Sequence, residues 1–348
     1  MQRRDLLASA AALAALSGCA SPRTSDAPLR RIGFGSCMDQ NRPQPVWDAV
    51  LAVRPDLFLF GGDNVYVDAP PSAQAFRRAY AQAAELPGLS RVRAAIPHLA
   101  IWDDHDFGLN DGGAEFPLRQ LAKDEFLAFW KVPADDPRRR REGLYHAQVF
   151  GPPGRRVQGI LLDDRWFRSP WRPTDRRDAP GRERYLPDPD PDKTLLGPLQ
   201  WQWLEAQLRE PAQVRLVLSG IQVLAEGHGW ERWGNFPLER ERLVRLVADT
   251  RAGGVVLLSG DRHFGAVYRR TDGVAYPLTE LTASGFTHTW RGVREAGPNR
   301  IGEPFTELHF GLVDIDWDAR ALTLSLVDVQ GRAARRHAIP FDELKITP

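Results

Sequence analysis

Short apolar runs that stop abruptly at charged loops constrain this chain more than any other feature. Residues 56–60 (DLFLF) end at Gly61-Gly62-Asp63, residues 97–102 run into Asp103-Asp104-His105-Asp106, and residues 156–162 lead to Asp163-Asp164-Arg165. Residues 255–259 end at Gly260-Asp261-Arg262-His263, and an opening run, residues 31–35, delivers Ser36-Cys37. Continuous apolar runs of this length read as strands buried on both faces, the kind found in parallel sheets. Helical patterns fall between them at about residues 46–53, 72–85, 119–130, 199–208 and 237–250. A strand, loop and helix rhythm places the loops at the carboxyl edge of a sheet, where α/β proteins gather their ligands. Towards the C-terminus the pattern changes to short strands in hairpin order, near 266–270, 274–282, 305–316 and 321–328. The expected fold is therefore one α/β domain with mixed sheets covered by helices, over residues 30–345.

Residues 168–197 are rich in Pro, Arg and Asp and carry neither period. They read as a long excursion from the domain, and loops of that length are usually functional or disordered.

Before the domain, Arg3-Arg4 precede an apolar run from Leu6 to Leu16 that closes on Leu16-Ser17-Gly18-Cys19. A run this short reads as a secretory segment, not as a mature membrane span. Residues 1–18 are the expected signal peptide and residues 19–29 a small, polar tether. Leu16-Ser17-Gly18-Cys19 resembles a lipoprotein lipobox, which implies lipidation of Cys19, a membrane partner through that anchor and a periplasmic or cell-envelope location. Arg3-Arg4-Asp5-Leu6-Leu7 also resembles a twin-arginine signal, a route for proteins exported already folded.

The chain holds only Cys19 and Cys37. With Cys19 lipidated, Cys37 has no disulfide partner, leaving two readings: a small buried hydrophobe, or a thiolate with chemical work. The 46 Lys and Arg nearly balance the 45 Asp and Glu, for a net charge of +1. That balance argues against a dedicated nucleic-acid partner.

The loops bring thiol, carboxylate, phenol and imidazole groups to one sheet edge: Cys37, Asp63 with Tyr66, Asp103 to Asp106, and Asp261 with His263. Such a set suits cations, which need several anionic donors and an open position for water or substrate. The strings Gly35-Ser36-Cys37, Gly62-Asp63-Asn64-Val65-Tyr66-Val67-Asp68, Ile101-Trp102-Asp103-Asp104-His105-Asp106-Phe107, Leu162-Asp163-Asp164-Arg165 and Ser259-Gly260-Asp261-Arg262-His263 follow one another in the order of the alkaline phosphatase D (PhoD-like) family. The chain resembles that branch of the calcineurin-like metallophosphoesterases, in a short form without an added N-terminal β-domain.

The resemblance implies an αββα sandwich of two mixed sheets flanked by helices, and hydrolysis of a phosphate-ester substrate by a metal-bound hydroxide. It implies that Cys37, Asp63, Tyr66 and His263 surround one metal, a ferric ion, with Asp63 bridging to a second ion such as Ca²⁺ held also by Asp104, Asn110 and Asp261. Thiolate and phenolate are anionic donors that suit a highly charged ion. Packing is the competing role for Tyr66, and turn formation for Asn110.

His105 is the expected general acid, oriented by Asp103, with a supporting role behind the ligands as its alternative. Arg165 would clamp phosphate oxygens or pair with Asp163. His228 and Glu231, in a loop rich in Gly and Trp, would touch substrate, unless that loop serves only to pack Trp230 and Trp233. Monoester hydrolysis is the leading expectation. A phosphodiesterase or phospholipase D-like hydrolase, a binding protein without turnover, and an iron redox enzyme are the alternatives.

Overall fold

A computed structural model describes residues 27–67, 70–295 and 297–346. In chain order the main elements are β1 (Arg31–Gly35), α1 (Val46–Val53), β2 (Leu57–Gly61), α2 (Ala73–Ala84), α3 (Pro87–Ala95), β3 (His98–Ile101), α4 (Asp104–Phe107) and α5 (Arg119–Phe129). They continue with β4 (His146–Phe150), β5 (Val157–Leu161), β6 (Arg172–Pro173), β7 (Tyr185–Leu186), α6 (Gly197–Arg209), β8 (Val214–Ser219), α7 (Pro237–Asp249) and β9 (Val255–Ser259). The final strands are β10 (Gly265–Arg270), β11 (Leu278–Ala283), β12 (Arg300–Phe305), β13 (His309–Asp316), β14 (Ala321–Asp328) and β15 (Ala333–Pro340). The expected signal peptide and Cys19 lie outside the described residues.

Two mixed sheets form, in the orders β15-β14-β13-β1-β2-β3 and β12-β10-β11-β9-β8-β5-β4. The β1, β2 and β3 strands run parallel, as do β5, β8, β9 and β11. All residues of β2, β5 and β9 are buried, which is why these strands read as unbroken apolar runs. The sheets face each other closely: Leu99 of β3 lies over Gly159 of β5, Leu218 of β8 over Gly61 of β2, and Leu326 of β14 over Gly265 of β10. Helices cover the outer faces, with Trp47 of α1 packed on Phe58 and Phe60 of β2. The expected α/β sandwich of two mixed sheets is the observed architecture.

Several elements differ from the sequence expectation. The Trp-Asp-Asp-His-Asp segment is not an open loop. It winds into the single turn α4, because Asp103 and Asp106 form a reciprocal capping box that satisfies its first N–H groups. The strand expected over 274–282 starts only at Leu278, after Pro277, which cannot donate to a ladder. Helix α3 and strands β12 and β15 had no clear apolar period. β15 is an outer strand with Arg335 and Arg336 exposed, so little of it alternates. The excursion contains the small β6–β7 hairpin, with Thr174 N bonded to Arg184 O and Tyr185 N to Gly229 O.

At the start of β13, His309 is fully buried, and its Nδ1 lies 2.7 Å from the Glu307 carbonyl. A Cβ at Gly285 would stand 2.4 Å from the ring, so only glycine admits it there. Burial pushes the His309 pKa down to about 4, and it does the same to His146. In the unfolded chain each ring titrates near its ordinary value of about 6.5. Folding therefore binds fewer protons, and the stability present above pH 6.5 is lost as the pH falls towards 4. Denaturant midpoints should drop across that window, and His309→Gln should flatten part of the slope. A midpoint that stays level from pH 7 to 4 would refute this account.

Candidate metal centre

Every parallel strand ends at the same edge, and four residues just beyond those ends adopt left-handed backbone. Cys37, Asp63, Asp261 and His263 have φ of 64°, 50°, 68° and 55°. Non-glycine residues in this region each carry about 1–3 kcal/mol of strain, which persists only where the surroundings enforce it. The consequence is geometric: each chain turns sharply as it leaves its strand, so short side chains can converge.

Asp63 is the hub. Its Oδ2 lies 3.5 Å from Cys37 Sγ and accepts a hydrogen bond from the Tyr66 hydroxyl at 3.2 Å. Its Oδ1 accepts the His105 N–H at 3.2 Å. Donor atoms of Cys37, Asp63 and His263 all fall within 4.8 Å of one another; so do those of Asp63, Asp104 and His105, and those of Asp104, Asp111 and Glu231. The three groups overlap at Asp63 and at Asp104, so the donors form one continuous chain. His105 stacks on Tyr66, with ring centroids 4.0 Å apart.

The electrostatics fit a cation site. Burial, reinforced by Asp63, pushes the Cys37 thiol up, and burial with Asp104 and Asp103 pushes Asp63 up. Tyr66 is raised by burial and then by Asp63. Burial raises Asp261 to about 7 against the pull of Arg262. Asp104 differs: burial opposes its ionisation, but His105, Arg165 and the Asp111 N–H together hold it at about 2. Burial, His288 and Arg262 push His263 down to about 3, which keeps it neutral and able to ligate. Several acids crowded into a dry pocket repel one another, and a bound cation is the group that relieves such repulsion. Thiol, phenol and imidazole at one end suit a softer or highly charged ion, and carboxylates at the other suit a hard one. The residues present therefore fit a centre of more than one metal.

Other expected residues sit differently. Arg165 cannot serve as a free phosphate clamp. Its side chain is fully buried, with Nε donating to Asp103 Oδ1 at 2.6 Å and Nη1 and Nη2 to Glu231 at 2.8 and 2.9 Å. Nor does its guanidinium pair with Asp163. Asp163 accepts the backbone N–H groups of Leu144, Arg165 and Trp166 and the Trp102 indole, so it shapes the loop.

Glu231 is buried between Arg165 and the Trp171 indole, with a carboxylate oxygen also within reach of Asp104 and Asp111. His228 is also buried: it meets Gln222 Oε1 through Nε2 at 3.2 Å and accepts Trp230 N–H at Nδ1. The structure thus holds both side chains in internal hydrogen bonds, the packing role that the sequence left open beside a substrate contact. Asp103 makes no bond to the His105 ring; it caps the turn that carries His105 and is held by Arg165. Asn110 is exposed on a turn, while neighbouring Asp111 joins Asp104.

Sequence reasoning gave Asp106 no role of its own and missed Asp111 and His288. Asp106 accepts both the backbone and side-chain N–H of Asn64, tying the β2 loop to α4. His288 lies 3.1 Å from His263, Nε2 to Nε2. It follows β11 by five residues, and the rule that strand-end loops carry function would have pointed to it once β11 was known to be parallel.

Known proteins resemble this chain in sequence and in fold. Residues 33–289 match the sequence profile described as PhoD-like phosphatase. Alkaline phosphatase D of Bacillus subtilis (strain 168) is 26% identical over 219 residues, which cover 55% of this chain and 35% of that protein. The match thus spans about a third of the curated relative's length. Among solved structures, one titled as that of PhoD superposes with a TM-score of 0.72 at 18% identity, over 91% of this chain and 69% of the other. Purple acid phosphatase PPD1 from yellow lupin (Lupinus luteus) seeds superposes with a TM-score of 0.61 at 12% identity, over 90% of this chain and 54% of the other. The structural likenesses establish the fold, and because the sequence profile runs through most of the chain, including all the converging loops, the chain belongs to the PhoD-like phosphatase family.

Proposed function

We propose that this protein hydrolyses phosphate monoesters at a centre of two or more cations. The observation that carries the reading is the sharing of Asp63 between two groups, one with the donors Cys37 and His263 and the other with the donor Asp104, beside which His105 stands as the proton donor and not as a ligand. The names of the family and of its curated member support the same chemistry. Fe³⁺ is proposed for the Cys37, Asp63, Tyr66 and His263 end, and Ca²⁺ or another oxygen-preferring divalent ion for the carboxylate end. Bound cations would neutralise phosphate charge and lower the pKa of water. The protein's own part is to hold the anionic donors in a pocket that excludes bulk water, and to present His105 from the capped turn of α4. In that position His105 protonates the leaving oxygen or donates to a phosphoryl oxygen.

One observation favours diesters as the second reading. A cleft of about 510 Å³ lies between Trp230, Trp290 and the excursion at Asp178 to Glu183. Trp290 N donates to His263 O at 2.7 Å, so one wall of this cleft is tied to the backbone of a proposed ligand, and the cleft would give room for a second substituent. Export with lipidation at Cys19 remains part of the proposal and rests on residues 1–19 alone.

Metal analysis of the purified protein, followed on the same sample by rates on matched monoesters and diesters, tests the reading. Protein that takes up no metal, or that turns over neither ester when loaded, would refute it. His105→Ala should leave metal content intact and lower turnover by roughly 100-fold on esters with poor leaving groups. An unchanged rate on those esters removes its role as acid.

A further inference from the structure

We propose that His288 is a further metal ligand of this centre, placed beside His263 at the end that holds Cys37 and Tyr66. The inference rests on the metal-centre reading above and adds to it a residue from a further strand-end loop, the one after β11. His288 lies beyond β11, and its neighbour Thr287 ties that loop to the one after β1. Thr287 Oγ1 donates to the Cys37 carbonyl at 2.8 Å and accepts the Asp39 N–H at 3.1 Å. The same oxygen lies 2.9 Å from His288 Nδ1.

A hydroxyl has a single proton, and here the Cys37 carbonyl takes it. His288 Nδ1 must therefore be the donor in its contact with Thr287. In the neutral ring that leaves Nε2 bare, with its lone pair outward. This is the pattern in which a ligating histidine is oriented by a bond from its other nitrogen.

The bare Nε2 is aimed at the centre. It stands 3.1 Å from His263 Nε2, and the His288 ring is set edge-on to Tyr66 with centroids 5.7 Å apart. Two imidazole nitrogens at that separation can share one ion, since each metal–nitrogen bond spans about 2.0–2.1 Å. The backbone on both sides is fixed: Trp290 N donates to His263 O at 2.7 Å, and Ser36 N donates to Ala283 O at 3.2 Å. His288 is thus held in place before any ion arrives, as a ligand needs to be.

Loading the chelator-stripped full chain with Co²⁺ alone tests this directly. Each histidine ligated through Nε2 shows one solvent-exchangeable, strongly shifted N–H proton in the NMR spectrum of the Co²⁺ protein. The wild-type protein should show such a proton that disappears in His288→Gln and persists in His105→Gln, and His288→Gln should bind Co²⁺ at least about tenfold more weakly. Co²⁺ uptake with every shifted N–H proton retained in His288→Gln would overturn the assignment and leave the metal centre standing. Should the variant fail to fold, selective ¹⁵N labelling of histidine in the wild-type protein decides: a His288 resonance without a metal shift overturns the proposal. Failure of the wild-type chain to bind Co²⁺ at all would instead overturn the metal-centre reading on which it rests.

Discussion

Replacing Cys37 by serine is expected to remove metal and turnover together. The thiol is fully buried, 3.5 Å from Asp63 Oδ2, on backbone strained into the left-handed region. Its surroundings disfavour a free thiolate: burial and then Asp63 push its pKa up, outweighing the Ser36 hydrogen bond that pulls it down. Cys37 is therefore a poor unaided nucleophile, and a bound cation is what would draw off its proton. A serine hydroxyl keeps its proton far more firmly, so Cys37→Ser would offer a neutral oxygen where an anionic sulfur is required. Substituting a partner that merely supports a ligand lowers metal affinity or activity by roughly 10- to 100-fold, and removing the ligand itself should exceed that range. Metal content and hydrolysis measured on the same sample provide the check. A Cys37→Ser protein with full metal and no turnover would point to a covalent phosphoenzyme instead.

Arg165→Met is expected to destabilise the fold by about 3–5 kcal/mol, the usual result of removing one partner from a buried ion pair. The guanidinium is fully buried and bridges Asp103 and Glu231, which are themselves almost entirely hidden. Removing it leaves Asp103 without its cationic partner and Glu231 with only the Trp171 indole and the more distant Arg168, 4.0 Å away, in the protein interior. One of them, Asp103, also caps α4, so the turn that carries Asp104 and His105 loosens at the same time. Arg165→Lys should recover only part of the loss, because an ammonium cannot reproduce the paired contact with Glu231 and the contact with Asp103 at once. Denaturant unfolding would measure both variants. A loss below about 1 kcal/mol for Arg165→Met would mean that the two acids accept protons readily and that the guanidinium is not what holds them.

Arg165 also shows where sequence reading reached its limit. Its place after a strand and an acidic pair suggested a clamp beside the proposed centre, but the pattern could not show whether its donors were free. That depends on Glu231, 66 residues away along the chain. His228 and Glu231 repeat the lesson: a loop rich in Gly and Trp looks like an exposed rim, and packing against Gln222 and Arg165 turned it inward. Asp103 was placed behind His105 because the two are close in sequence. In the folded chain it bonds to Arg165 and to the turn itself.

Much that needs only local order was readable from the residues. Unbroken apolar runs marked the strands buried on both faces, because a strand covered on two sides has no polar face to reveal. The charged residues following those runs marked the functional edge, because parallel strands share one carboxyl end. Strands and helices with weaker periods, such as β15 and α3, were not visible, since an outer strand or a short helix draws its stability from neighbours that the local pattern does not contain. The residues themselves thus determined which loops follow the buried strands and carry the proposed donors. Tertiary structure alone decided which groups face one another: Thr287 lies 250 positions from Cys37 yet bonds to its carbonyl, and that contact aims His288. The physical reason is that hydrogen-bond saturation and burial belong to pairs of residues, and distant pairs are made only when the sheets close together.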